Sequence, residues 1–309
     1  MSNCYFCYQP VDTDRSYHPK CCKRFFGSEN LPVLELNKDL LLKLANTTVH
    51  QRISLTGVQP KLSVSLSKGE RGARLTIVGL WGDYILKPQH TAIDHMPEVE
   101  DLTMHLAKLF RIDTCAHTLL PASNGDLVYL ARRFDRLKKV KIHMEDFCQL
   151  AEFQTEQKYN STYERCGKLI QKYCHSVGLD LLNYFEILVF SFLSGNNDMH
   201  MKNFSVLHLE NEIKLAPAYD LTNGQLINPK DKEDMALQLN GRKKRISRHD
   251  FEQLATVLGI SPVVCNRVLK KFTTEPTKVS ELIDQSFLND DYKAGYKKIW
   301  TSKLEILRG

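Results

Sequence analysis

Residues 194–206 read Ser-Gly-Asn-Asn-Asp-Met-His-Met-Lys-Asn-Phe-Ser-Val, and residues 216–220 read Ala-Pro-Ala-Tyr-Asp. Three side chains define the pattern: Asp198, Asn203 five positions later, and Asp220 one short strand or hairpin downstream. Phosphoryl-transfer kinases set out a catalytic base and two magnesium ligands in this order. That reaction asks little covalent chemistry of the protein, so a carboxylate on the attacking hydroxyl and oxygen ligands on the metal ions nearly complete the machinery. A lone Asp-x-x-x-x-Asn also arises in ordinary loops, because both side chains bond their own backbone. Context decides between the two. The apolar run 184–193 (YFEILVFSFL) predicts a buried helix leading into the loop, and 204–207 predicts a short strand leaving it. Helix, polar loop, strand and second aspartate make a scaffolded site suited to moving the γ-phosphate of ATP.

Working upstream, residues 53–66 (ISLTGVQPKLSVSL) place Ser54, Thr56, Gly57 and Val58 in a turn and then alternate, which suits a loop and strand over phosphates. The three glycines of G-x-G-x-x-G are absent, and a plain hairpin fits the same residues. Residues 81–88 (WGDYILKP) predict a strand with Lys87 near its end, placed to reach the α- and β-phosphates. A lone lysine at a strand edge is ordinarily solvated. Residues 97–111 open with a helix-compatible proline, and Leu102, Leu106 and Leu109 supply an apolar face. Glu100 on this helix is the candidate partner for Lys87, with Glu98 the alternative, because one sequence does not set the helix phase. Residues 127–134 (LVYLARRF) predict a further strand, ending at Arg133 and Phe134 in a hinge whose backbone amides could hold an adenine.

ISLTGVQPKLSV, the lysine of ILKP, ARRFDR at 131–136, MEDFCQL at 144–150, SGNNDMHMKNFSV and APAYDL together resemble the HipA family of bacterial serine/threonine toxin kinases. They run in family order from about residue 53 to residue 221, and the sequence beyond is compatible with the family's helical C-terminal lobe. The resemblance implies an α+β, two-lobed protein-kinase-like fold, with a mixed, β-rich N-lobe at 31–134 and a mainly helical C-lobe at 135–309. It implies Asp198 as base, Asn203 and Asp220 as magnesium ligands, Lys87 as the ATP-phosphate lysine, and His200 and Lys202 as further catalytic-loop residues. Ser54 and Thr56 fall where the family autophosphorylates; a phosphate there adds nearly two negative charges beside the nucleotide phosphates and is expected to expel the loop. The Gly-containing loop begins near residue 53, which resembles the shorter HipT branch, in which a separate small protein supplies an N-terminal subdomain. The implied protein substrate is an aminoacyl-tRNA synthetase, and the implied neutralising partner is a helix-turn-helix antitoxin, so that DNA is met only indirectly. Small-molecule kinases share the Asp, Asn and Asp order and stand as an alternative.

Residues 1–30 hold a second constellation, Cys4-x2-Cys7-x10-His18-x2-Cys21. Paired ligands at short spacing on either side of a loop are the layout of a structural zinc site with three thiolates and one imidazole. Cys22 is an alternative fourth ligand. A closed tetrahedral ion would staple a segment too short to build a core of its own. The other reading is a set of reduced cysteines beside a surface histidine. With nine cysteines, the remaining five scattered, and no signal peptide read at the start, disulfides are not expected and a reducing cytoplasm is.

At 309 residues, 42% hydrophobic and 25% charged, the chain can bury a substantial core, and its longest apolar run, interrupted by Glu186, is too short to span a bilayer. Net charge is a mild +6. The basic clusters at 138–141 and 242–245 read as solvated loops, and 223–233 (NGQLINPKDKE) as a mobile one. Residues 251–272 (FEQLATVLGISPVVCNRVLKKF) carry the pattern of a helix-turn-helix DNA reader. The second helix, however, would open on Ser261, Pro262, Val263 and Val264, where a groove reader needs polar residues, so lobe packing is the expected role.

Overall fold

The alternation read after residue 60 becomes the middle of a six-stranded sheet. The computed structural model describes residues 2–11, 15–34, 60–69, 72–78, 81–90, 92–137, 140–274 and 276–309. The chain divides into two compact units: one contains Met1–Leu102, Cys115–Arg133 and Gln285–Leu288, the other Thr103–Thr114, Phe134–Asp284 and Asn289–Gly309.

The first unit opens with β1 (Ser2–Asn3), β2 (Pro10–Val11), α1 (Pro19–Phe26) and β3 (Val33–Leu34). Then come β4 (Leu62–Gly69), β5 (Gly72–Ile77), β6 (Tyr84–Lys87), the helix α2 (Met96–Leu109), which belongs to this unit as far as Leu102 and to the second from Thr103, β7 (His117–Pro121) and β8 (Leu127–Arg132). The sheet order is β3-β5-β4-β6-β8-β7, antiparallel throughout except for the parallel pair β3 and β5. Period-two alternation sends Val64, Tyr84, Leu86, Val128 and Leu130 into one hydrophobic core, where Phe25 and Phe26 of α1 cover them. Cys22, Phe25, Phe26 and Leu34, with Phe6, Tyr17 and Leu31 packed against them, therefore share the core of this sheet.

The second unit holds two short antiparallel pieces, β9 (Arg136–Leu137) with β10 (Val140–Lys141), and β11 (His143–Asp146) as the edge of a three-stranded sheet. Helices α3 (Phe147–Leu150), α4 (Tyr163–Tyr173) and α5 (Val177–Leu193) follow, then β12 (Ser205–His208) and β13 (Ile213–Leu215), which complete that sheet in the order β11-β12-β13. The remainder is helical: α6 (Gly224–Ile227), α7 (Arg248–Val257), α8 (Pro262–Thr273), α9 (Pro276–Gln285) and α10 (Asp290–Arg308). This is the α+β architecture expected, with a β-rich first unit and a mainly helical second.

Helix α5 is buried on nearly every side, from Leu181 to Leu193. Around it Phe251 of α7 meets Phe185 and Phe192, while Phe272 of α8 meets Phe110 and Phe190. The α7–α8 pair is thus engaged in core packing, and Val263 at the start of α8 is 70% exposed. The mobile loop expected at 223–233 is replaced at its start by structure. Asn223 is fully buried and caps α6, its side-chain oxygen accepting from Leu226 N at 2.9 Å. No helix among the described residues is long and apolar enough to cross a membrane.

Candidate active site

In the first unit, Leu86 faces the core and its neighbour Lys87 faces the other side of the sheet. Lys87 is 5% exposed, and its Nζ donates to both carboxylate oxygens of Glu100 at 2.5 and 2.6 Å. Tyr129, its cross-strand partner on β8, places its ring centroid 5.4 Å from the ammonium. Of the two carboxylates considered for Lys87, Glu100 makes the pair. Glu98 instead lies 3.5 Å from His95 Nδ1, and burial pushes its carboxyl above the usual range. The α2 helix is buried around most of its girth rather than on one leucine face, since Asp101, Leu102, Thr103, Met104, Leu106 and Ala107 are all fully covered. Asp101 is held on both oxygens, by the Tyr8 hydroxyl at 2.7 Å and by His117 Nδ1 at 2.7 Å.

The expected hinge residues follow β8. Arg133 N donates to Asp83 O at 2.9 Å, and the division between the two units falls between Arg133 and Phe134. Within the second unit the Phe134 ring lies 5.5 Å from that of Tyr219. Ser54, Thr56, Gly57 and Val58 lie outside the described residues.

In the second unit, α5 ends at Ser194 and the chain reverses at Gly195, with φ +69°. Buried Asn196 accepts from Asp198 N on its side-chain oxygen at 3.2 Å. Asn203 Nδ2 donates to Asp198 O at 3.1 Å, which closes the five-residue loop upon itself and leaves the Asn203 amide oxygen for a ligand. Asp198 is exposed, and its Oδ1 accepts from the Tyr159 hydroxyl at 2.5 Å. Burial and the neighbouring Asp198 charge push the Tyr159 hydroxyl far above its ordinary pKa, so it stays a neutral donor. The ring of buried His200 meets Tyr159 edge-on at 5.0 Å. Lys202 Nζ donates to Asp146 Oδ2 at 2.6 Å, while Asp146 also caps α3 through Gln149 N at 2.9 Å. Tyr219 donates its single hydroxyl proton to Lys202 O at 2.9 Å, so the 2.6 Å contact with Ser205 Oγ is one that it accepts. Asp220 follows directly, with a left-handed φ of +56°.

Three residues of this arrangement had no assigned role from sequence: Tyr159, Asp146 and Tyr219. Asp146 and Tyr219 lie inside quoted motifs, which was the available signal. Tyr159 reaches Asp198 across 39 positions and carried none.

A buried Lys–Glu pair on a sheet-and-helix unit, joined to a helical unit whose loop presents aspartate, asparagine and a second aspartate, defines the protein-kinase-like class of fold. Residues 53–283 match the family described as the HipA-like C-terminal domain, and the chain belongs to that family. Among its relatives, Y4mE of Sinorhizobium fredii, a protein provisionally named a kinase, is 28% identical over an alignment of 248 residues that covers 76% of this chain and 58% of Y4mE. HipA of Shewanella oneidensis, named a serine/threonine-protein kinase toxin, is 27% identical over an alignment of 201 residues that covers 56% of this chain and 43% of HipA. The chain thus spans about half the length of these relatives. The structure of the Shewanella HipA in complex with HipB and its operator DNA superposes with a TM-score of 0.70 at 22% identity, covering 82% of this chain and 65% of HipA. CtkA of Helicobacter pylori, described as a proinflammatory kinase, superposes with a TM-score of 0.57 at 15% identity, covering 80% of this chain and 94% of CtkA.

Proposed function

We propose that this chain is an ATP- and magnesium-dependent protein serine/threonine kinase of a toxin–antitoxin system. The observation that carries the reading is the self-closed loop of the second unit, in which Asn203 holds the Asp198 backbone and an exposed Asp198 is steadied by a neutral phenol. Tyr159 occupies Oδ1, which leaves Oδ2 to orient a substrate hydroxyl and take its proton as the oxygen attacks phosphorus. Lys202, anchored on Asp146, sets the position of the loop backbone. In the first unit Glu100 pre-orients Lys87, whose ammonium is the natural contact for α- and β-phosphate oxygens. Because Arg133 N is given to Asp83 O, the Phe134 amide is the one of the two that would meet the adenine.

The donor set also fits magnesium. The Asn203 amide oxygen and the Asp220 carboxylate are hard oxygen ligands, and the Asn203 amide group is fixed by its bond to Asp198 O. Bound there, the ion supplies charge neutralisation for the transferring phosphoryl group.

Family resemblance supplies the finer reading: autophosphorylation at Ser54 or Thr56, an aminoacyl-tRNA synthetase as target, a helix-turn-helix antitoxin and a small N-subdomain-like protein as partners, and a cytoplasmic setting. The test is intact-mass spectrometry with Mg-ATP, comparing the chain with Asp198→Asn and mapping any added phosphate. Phosphate on Ser54 or Thr56 that falls by about 10²-fold or more in the variant is the expected outcome. Transfer near the wild-type rate by Asp198→Asn rejects the assignment, and phosphorylation of a small molecule alone moves the protein to the other kinase class.

A further inference from the structure

We propose that Cys4, Cys7, His18 and Cys21 bind one structural zinc ion, and that this ion fixes the segment that grips α2 beside Glu100. The proposal stands apart from the kinase reading, because its geometry lies wholly within the first unit.

The four ligand atoms come from two turns of chain. Cys4 and Cys7 flank a tight turn in which Cys7 N and Tyr8 N both donate to Cys4 O, at 3.3 and 2.9 Å. His18 is the residue before α1, and Cys21 lies in its first turn, with Cys21 N donating to His18 O at 3.0 Å. The sulfurs and the imidazole nitrogen all lie within 4.8 Å of one another. Cys7 Sγ is 3.5 Å and Cys21 Sγ 4.0 Å from His18 Nδ1. Zinc at about 2.3 Å from sulfur and about 2.0 Å from nitrogen makes tetrahedral edges of about 3.5–3.8 Å, so these separations are those of a coordination shell closing around one ion.

The surroundings support the same assignment. His18 Nε2 lies 3.1 Å from Pro10 O, a carbonyl that only accepts, so the ring proton is on Nε2 and the Nδ1 lone pair faces the sulfurs. His18 N is also 3.4 Å from Cys4 Sγ, a donor that favours thiolate at that position. Packing does not account for the convergence, since only Cys4 of the four is buried. Cys22, the alternative ligand, sits instead in the hydrophobic core with Phe25 and Phe26. Adjacent helical positions point about 100° apart, so one of the two faces the sulfurs and the other the sheet.

The consequence follows from Tyr8. It comes directly after Cys7, is fully buried at φ +60°, and gives its hydroxyl to Asp101, the neighbour of Glu100. An ion on Cys7 therefore holds the turn that places Tyr8 against α2. When zinc binds, protons leave the thiols that are still protonated and three sulfur bonds and one nitrogen bond form to the metal, with no redox change.

The test is metal analysis of the full chain expressed with zinc available. About one zinc per chain is expected, falling below about a tenth in Cys7→Ser with Cys21→Ser, and unchanged in Cys22→Ser. Because the double variant could misfold, the wild-type chain is also treated with a mercurial, which should release that zinc to a chromogenic chelator. Cobalt added to the stripped chain should show thiolate charge-transfer bands and four-coordinate absorption, both diminished in His18→Ala. Hydrogen exchange at residues 96–102 should rise on zinc removal. Substoichiometric zinc with no cobalt spectrum, a disulfide among Cys4, Cys7 and Cys21 in the freshly purified chain, or zinc lost equally in Cys22→Ser overturns the site. Unchanged exchange in α2 overturns the coupling.

Discussion

Replacing Glu100 by Gln keeps the shape of the side chain and removes the charge opposite Lys87. The side chains of Lys87 and Glu100 are 6% and 4% exposed, so water cannot take over the role of the lost carboxylate. Removing one partner of a buried pair costs about 3–5 kcal/mol, because the remaining charge stays desolvated. The Tyr129 ring at 5.4 Å continues to face the ammonium and offsets about 1 kcal/mol of that. A loss of about 2–4 kcal/mol is therefore expected, located in β6 and its neighbours rather than spread over the chain. Amide hydrogen exchange reads this locally, since the two units need not unfold together. Protection in residues 84–87 and 127–132 should fall by about 30-fold to 700-fold, at about 1.4 kcal/mol per factor of ten. Lys87→Met with Glu100→Gln should recover most of it, because the buried ammonium is then gone. The single variant should be nearly indifferent to salt, as a buried pair is poorly screened. Exchange within threefold of wild type in Glu100→Gln, or losses that simply add in the double variant, would refute the claim that this pair is desolvated and coupled.

Tyr159→Phe removes one hydrogen bond to a charged acceptor, worth about 1.5–3 kcal/mol, so phosphate transfer should slow by about 10-fold or more with thermal stability little changed; an unaltered kcat would show that Asp198 does not need the phenol. Gly195→Ala should destabilise by about 2–3 kcal/mol, because its Cβ would meet Asn223 Oδ1 at 2.7 Å and Ile299 Cγ2 at 2.8 Å on top of a φ of +69°. Gly259→Ala, at φ +74° with nothing within 4 Å, is the control: it should lose only the backbone share of about 1 kcal/mol, and equal drops in thermal midpoint for the two would refute the packing argument.

What could be seen in the sequence tracks how local each constraint is. Asp198 and Asn203 were legible because a spacing of five positions closes one ring, Asn203 Nδ2 to Asp198 O, and such a ring leaves a fixed spacing behind. Lys87 was legible as a strand-end lysine, but its partner was open between Glu98 and Glu100. Two positions along a helix are about 200° apart, and in a helix buried around most of its girth the face of Leu102 and Leu106 does not tell which of two equally buried carboxylates meets the lysine. The same limit applied to Cys21 and Cys22. Tyr159 was invisible because its bond to Asp198 depends on how residues 151–162 pass beside the loop, which no periodicity encodes. The stretch 223–233 misled for another reason: its polar composition suits a loop, yet Asn223 is fully buried and its side chain caps α6.

Backbone strain supplies a line of argument that owes nothing to motif spacing. Among the described residues seven that are not glycine have positive φ, and they include Tyr8 at +60° and Asp220 at +56°. A residue with a Cβ in this region costs about 1–2 kcal/mol, and an aromatic gains nothing locally to offset it. Tyr8 stays there because its hydroxyl reaches Asp101 and the turn behind it is tied through Cys4. Asp220 is held from the preceding residues: Ala218 N donates to Asp113 O at 2.8 Å, and Tyr219 is bonded to both Lys202 O and Ser205 Oγ. In each case neighbouring bonds over-determine the backbone and leave the side chain aimed where an unstrained chain would not put it. Strain retained in this way points to a task for the side chain it positions. For Asp220 that task is the proposed metal, and for Tyr8 it is the link from the cysteine cluster to α2. Tyr8 and Asp220, two of the seven, therefore each belong to one of the two constellations that residue chemistry selected.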